Sequence, residues 1–369
     1  MDMEREALTA AHTYWQSRLP RSWAERHINW RQIDAPSNAF GYAPPGWRTT
    51  SDVLLKQGFT EETILAAGLA HRSANGTLVD HFRERLIIPV RDHENELVGF
   101  VGRARPGEET PENPKYVNSP ATALYDKCRV LMGLGEQALD IQRGAMPTIV
   151  EGPFDRYALS AGTPARLAPV APCGTALTDE QVNTLLQITP VRRPIALCLD
   201  GDAAGQHATL RAWEVITRNE NLRGRPILHI ALPDGKDPAD LCREDPPALR
   251  QAVTRPRPLA YAVLDARLSD AGRLDHVGKR VALMKHVIAS DLPHVHSAVR
   301  TDYLLRVAKA LGVDPCDVAE VAGATLAARG VQTATVARRD GGPKGEREAC
   351  GRAPNPATRS LVRTRSGRG

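Results

Sequence analysis

TIVEG (148–152), RLAPVAP (166–172), PIALCLDGD (194–202) and PILHIALP (226–233) are four apolar runs spaced along fewer than ninety residues. Each is short enough for a buried strand, and the stretches between them carry helical signals. Residues 155–162 suit a short helix. Thr178-Asp179-Glu180-Gln181 is a capping box opening an amphipathic helix through Ile188, and Ala203 to about Arg218 reads as a third helix. Strand–helix alternation at this spacing predicts a doubly wound parallel sheet with helices on both faces over residues 146–245. Ligands of such sheets bind at the carboxyl ends of the strands.

Those ends are acidic. Glu151 follows the first run, Asp200 and Asp202 follow the third, and Asp237 and Asp240 follow the fourth. Within a strand, residues two apart share a face, so Asp200 and Asp202 are expected to converge. Two carboxylates ~4 Å apart repel by about 4 kcal/mol at an effective dielectric near 20. A cluster of them must share protons or bind a cation, and an all-oxygen donor set selects Mg²⁺ or Mn²⁺ over zinc. A cation held this way leaves room for substrate phosphates, which points to phosphoryl-transfer chemistry. A calcium loop is excluded: DGDAAGQHATLR places Ala204 at the fifth position and Arg211 where a bidentate glutamate is needed.

Upstream, RLIIPVRD (85–92) and ELVGFVGR (96–103) flank the polar His93-Glu94-Asn95 and predict a hairpin. PKYVNSP (114–120) and LYDKCRVLMGL (124–134) follow. Residues 1–82 read as short helices and loops holding four of the five tryptophans, which either build a small core or, beside arginines, stack on bases. Residues 246–329 read as helical. Residues 330–369 lack periodicity and hold nine basic residues against three acids, so a disordered basic tail is expected there and the rest of the chain is close to neutral.

The 369 residues, 42% apolar and 25% charged, exclude a wholly disordered chain. No apolar run approaches the ~20 residues of a membrane span, and the acidic start has no secretory pattern. Six scattered cysteines without a CxxC pair argue against a zinc ribbon and a disulfide framework. A cytoplasmic protein is expected.

EGPFD (151–155), CGTALT (173–178), LDGDAAG (199–205) and LPDGKDPADL (232–241) resemble the Toprim motifs of bacterial DnaG-type primases. FRERLIIPVRD (82–92), GFVGR (99–103), PKYVNSPAT (114–122) and LYDKCRVLMGL (124–134) resemble that family's preceding segment, in the same order. The resemblance covers roughly residues 10–325. It implies an α/β architecture in which a Toprim doubly wound parallel sheet (146–245) follows an α+β subdomain (1–145) and precedes a helical subdomain (246–329). It implies a DNA-dependent RNA polymerase that makes short RNA primers on single-stranded DNA from ribonucleoside triphosphates.

Position by position, the resemblance makes Glu151 the acid nearest the chemistry, with Asp200 and Asp202 catalytic beside it, and Glu151, Asp200, Asp202 and Asp237 metal ligands. Ala239 stands where the family usually has a second aspartate, leaving Asp240 as a displaced substitute. Arg85, Arg103, Lys115, Asn118 and Lys127 match positions used to hold template or nucleotide. No cysteine precedes Cys128, where the family has a zinc-binding module, and a basic tail stands where a helicase-binding domain usually follows. A stripped core of a mobile element is therefore expected, with a replicative helicase or a zinc-binding module as a separate partner. A degenerate core that binds DNA and needs a partner, and a Toprim nuclease, are the alternatives.

Overall fold

RLIIPVR and LVGFVGR are apolar on successive residues, which requires cover on both faces of the sheet they build. The computed structural model, which describes residues 1–329 except 37, 163–165, 175 and 234, provides that cover. Strands β1 (Gly41–Ala43), β2 (Ala70–Arg72), β3 (Leu78–Asp80), β4 (Arg85–Arg91), β5 (Leu97–Arg103) and β6 (Tyr116–Asn118) precede the second sheet. Four of them form an antiparallel sheet in the order β1-β4-β5-β6, while β2 and β3 pair separately. The predicted hairpin is β4–β5, with a register shift between Val90 and Arg91. Ile87 and Phe100 face a core built with α1 (Asp2–Arg18), α3 (Thr49–Lys56) and α4 (Glu61–Ala66). Leu86, Ile88 and Val101 face a second core that also contains Trp23 and Ala24 of α2 (Trp23–Trp30).

The second sheet has six strands, from β7 (Leu131–Met132) through β8 (Met146–Val150), β9 (Leu167–Pro172), β10 (Ile195–Cys198) and β11 (Ile227–His229) to β12 (Arg257–Pro258). Their spatial order is β12-β11-β10-β8-β9-β7. The four predicted strands β8–β11 are mutually parallel. The short edge strands β7 and β12, which local pattern did not mark, pair antiparallel to β9 and β11.

Crossovers between these strands are made by α6 (Pro153–Gly162), α7 (Asp179–Ile188) and α8 (Ala203–Arg218), after α5 (Ala138–Arg143) has led into β8. Successive residues feed opposite layers. Ile149 and Leu197 join the core of α7 and α8, whereas Val150, Ala196 and Cys198 join the core of α6, α9 (Pro238–Glu244) and α10 (Pro246–Val253). That latter core is the one the β4–β5 hairpin faces, so one apolar interior joins the two sheets and brings Arg103, at the end of β5, to the Phe154 ring that follows β8.

The predicted capping box at α7 is complete, with Gln181 N–H donating to Thr178 Oγ1 and Thr178 N–H to Gln181 Oε1. Thr178 Oγ1 also donates to the Cys128 carbonyl at 2.5 Å. Thr178→Ala is expected to cost about 1–2 kcal/mol, read as a lowered urea midpoint at unchanged slope.

Helices α11 (Leu259–Asp270), α12 (Val277–Ser290), α13 (Arg300–Leu311) and α14 (Pro315–Ala328) close the described chain against α8 and β11. The stretch 330–369, expected as a basic tail, lies outside the described residues. Among the described residues no helix is long and apolar enough to cross a membrane.

Candidate active site

In the order β9-β8-β10-β11 the chain reverses direction across the sheet between β8 and β10, and the crevice of a doubly wound fold opens there. Glu151 leaves β8 and Asp200 follows β10 by two residues. They touch: Asp200 N–H donates to Glu151 Oε1 at 3.1 Å.

The expected face-sharing of Asp200 and Asp202 within a strand does not hold, because β10 stops at Cys198. The two acids lie in a turn that packs on the β11–α9 loop, where Gly201 N–H donates to the Lys236 carbonyl and Gly235 N–H to that of Gly201. A Cβ at Gly201 would meet the Pro233 carbonyl oxygen at 2.3 Å, and one at Gly205 the Asp200 carbonyl oxygen at 2.0 Å. The glycines of LDGDAAG are thus required for close backbone approach. Asp202 caps α8 through Gly205 N–H (2.8 Å), and Asp237 caps α9 through Asp240 N–H (2.5 Å).

The acids nevertheless act on one another. Asp200 is pushed up to about 7, by burial first and then by Glu151, Asp237 and Asp202, with Lys115 opposing. Its Oδ1 is buried and has no hydrogen-bond partner. Asp155 is raised well above the carboxylate range by burial, then by Asp237 and Asp200. It accepts from Gly152 N–H at 3.0 Å and Ala239 N–H at 3.4 Å, tying the turn after β8 to the start of α9. A buried oxygen without a donor, in a group destabilised by like charge, suits a hard divalent cation. Among the described residues no three acids, histidines or cysteines already close into a metal cage.

Lys115 brings a cation to the acidic crevice. The exposed Lys115 lies over the Tyr116 ring at 5.7 Å. Arg103, 4% exposed, donates to Tyr116 Oη at 2.9 Å and lies 5.4 Å from the Phe154 ring, while its Nε has no partner. On α6, Phe154 is buried in the core shared by the two sheets.

Comparison with known proteins agrees with this geometry. Residues 15–138 match the N-terminal domain of the DNA primase catalytic core, and residues 148–242 match a Toprim-like family. The chain is 33% identical over 345 residues to the DNA primase of Mycolicibacterium smegmatis, covering 91% of this chain and 52% of the relative. The crystal structure of the RNA polymerase domain of Mycobacterium tuberculosis primase DnaG is 30% identical with a TM-score of 0.70, covering 84% of this chain and 99% of that one. The chain belongs to the DnaG-type primase family. A DnaG primase catalytic domain bound to single-stranded DNA is 27% identical with a TM-score of 0.66, covering 86% of this chain and 98% of that one. This DnaG-type chain spans about half the length of the curated primase it matches.

Of the residues expected from the DnaG-type pattern, Glu151, Asp202, Asp237 and Lys115 all act on Asp200 at the crevice, whereas Arg103 is buried against Tyr116 and Phe154. Asp240, expected as a metal ligand, turns away. Its carboxylate meets Arg243 at 3.5 Å and Arg31 at 4.0 Å, and it is not among the charges that raise Asp200 or Asp155. Asp237 Oδ1 holds Asp240 N–H at the start of α9, and the Asp240 carboxylate pairs with Arg31, the residue that follows α2. The neighbouring Ala239 is buried in the shared core and adds no charge beside Asp155.

Arg85, expected to contact nucleotide or DNA, spends its guanidinium internally. It donates to the carbonyls of Gly102 and Pro114 and to Asn113 Oδ1, pinning the loop that carries Lys115. Asn118 bridges the sheets, with Nδ2 donating to the Cys173 carbonyl at 2.9 Å. Lys127 is exposed, and its carbonyl accepts from Gln181 Nε2. Sequence reading did not single out Arg31, Phe154 and Arg243 as cation–aromatic partners; they meet only through tertiary contact, and no spacing announces them. A cavity of about 280 Å³ opens beside Glu151 between β8, β10 and α8, with apolar walls including Ile149, Leu177 and Leu199 and with Arg211 on its rim.

Proposed function

We propose that this chain is the catalytic core of a primase, joining ribonucleoside triphosphates into a short RNA primer on a single-stranded DNA template. The observation that carries the reading is the Asp200 carboxylate: a buried oxygen lacks a donor while Glu151, Asp237 and Asp202 crowd it. Asp200, Asp202 and Asp237 would hold Mg²⁺ or Mn²⁺, which when bound offsets charge on the triphosphate and the departing pyrophosphate.

Glu151 accepts from Asp200 N–H through one oxygen, and in this reading the other takes the proton from the attacking 3′-hydroxyl. The hydroxyl oxygen bonds to the α-phosphorus as the bond to pyrophosphate breaks. Lys115, which acts on Asp200, would orient phosphate oxygens, with the buried Arg103 holding the Tyr116 ring beside it. Buried Asp155 holds the β8 turn against α9, keeping Glu151 and Asp237 on one crevice. The division into an α+β part (1–145), a Toprim part (146–245) and a helical part (246–329) is part of this reading, and the shared apolar core makes the first two one working unit. A single-stranded DNA template is supported by the related catalytic domain bound to single-stranded DNA.

The test is primer synthesis on mixed-sequence single-stranded DNA with all four ribonucleotides and Mg²⁺ or Mn²⁺. Short RNA products that require both template and metal are expected. Salt-sensitive DNA binding without product under either metal would move the reading to a core that works with a zinc-binding module or helicase in trans. Cleavage of the template instead would make it a Toprim nuclease.

A further inference from the structure

From the crevice outward, cations and aromatic rings alternate in one unbroken series. Lys115 lies over Tyr116 (5.7 Å), which stacks with Arg103 (5.3 Å), and Arg103 meets Phe154 (5.4 Å). Phe154 is met by Arg31 (5.1 Å), Arg31 reaches Trp30 (5.8 Å), and Trp30 lies under Arg243 (4.4 Å). The middle of the series is buried, Phe154 to 3% and Arg103 to 4% exposure, and serves as packing between the two sheets. Its far end is not: Trp30 is 56% exposed, while of the other tryptophans in the same region Trp15 and Trp23 are 0% and 7% exposed and Trp47, outside this series, is 69% exposed beside Arg83 (4.5 Å).

An indole left in water at the end of α2 costs hydrophobic burial that its neighbours obtain. Arg243 above it is half-buried, and among the described residues its ion pairs are with Asp240 (3.5 Å) and Glu244 (2.6 Å) of its own helix. The Arg31–Asp240 pair, at 4.0 Å, ties this end to α9, whose cap is the crevice acid Asp237. An exposed π-face flanked by two guanidiniums matches a polyanion that carries flat rings. A peptide of the same charge would offer no repeating face to stack.

We propose that Trp30, with Arg31 and Arg243, is a stacking platform for a base of single-stranded DNA on the strand's way to the acidic crevice. The base lies on the indole, and the adjoining phosphate takes Arg243 in competition with Glu244. Base–aromatic stacking of this kind tolerates any sequence. The assignment rests on the primase reading for the identity of the strand.

The test uses the full chain without metal or nucleotides, so it is separate from catalysis. Binding of a labelled dT12 is followed by anisotropy, and tryptophan quenching is recorded on unlabelled dT12. Trp30→Ala is expected to weaken binding by about 5- to 150-fold, the span measured for one stacked base. Trp30→Phe should stay within about threefold of wild type, since phenylalanine also presents a ring, yet lose the share of the quenching that Trp30 supplies, Trp47 being a second exposed indole. Trp30→Ala binding like wild type, or Trp30→Phe retaining the full quench, overturns the platform. Equal weakening by both variants also overturns it, because a ring is then not what the strand uses. A wild-type chain that binds dT12 as proposed but makes no primer fails the catalytic reading and leaves the platform standing.

Discussion

Asp200→Asn is expected to reduce primer synthesis by about 10²–10³-fold, the scale on which removing one preorganised electrostatic group acts, while making the metal-free protein more stable at pH 8. The two effects have one cause. Asp200 is pushed up to about 7 from a reference of 3.8, by burial first and by Glu151, Asp237 and Asp202 next. An acid whose folded pKa is raised binds its proton more tightly when folded, so its contribution favours folding at low pH and is lost as pH climbs from about 4 to about 7. Above that range the charged group opposes folding by a constant amount. Asparagine removes the charge, so in EDTA the variant should melt above wild type at pH 8, with the gap closing toward pH 4. Added Mg²⁺ should raise the wild-type midpoint and leave the variant nearly unmoved. A variant that makes primers at the wild-type rate would remove Asp200 from the chemistry. A variant less stable than wild type at pH 8 would show that the acids do not crowd one another.

Asp291→Ala should be the most damaging substitution for stability, at about 3–5 kcal/mol. Asp291 is 0% exposed and accepts from Trp213 Nε1 (2.9 Å), Arg267 Nε (2.8 Å), Arg267 Nη2 (2.9 Å) and Ser290 Oγ (2.9 Å). It ties α8 of the sheet layer to α11 and to the end of α12. Alanine would leave the Trp213 N–H buried without an acceptor and the Arg267 guanidinium, only 20% exposed, without its counter-ion. Urea unfolding followed by tryptophan emission measures the loss. A shift below about 1 kcal/mol would mean that water or Ser290 takes over the network. Asp291 touches none of the crevice acids, so surviving folded variant should keep its affinity for DNA.

The parallel sheet was legible because each of its strands is a continuous apolar run bounded by Gly, Pro or acid, and the helices between them carry their own start signals. The edge strands β7 and β12 were not, because pairs of two residues have no period to read; they exist only because β9 and β11 offer open edges. The site shows the same division. The acids were legible as residues that end strands, but the reason given for Asp200 and Asp202 was wrong. They meet through a glycine-dependent turn rather than through strand alternation.

For Arg85 and Asp240, motif position predicted contact with substrate or metal, whereas their partners are Asn113 and two backbone carbonyls, and two arginines. Local pattern was enough to say which segments become strands and that three of the four parallel ones end in acids. Only the tertiary structure decided which charges share the crevice and that Trp30 is left exposed beside Arg31 and Arg243. Those outcomes depend on contacts between residues far apart in the chain, and the sign and size of an electrostatic interaction are set by distance and burial, which no local pattern encodes.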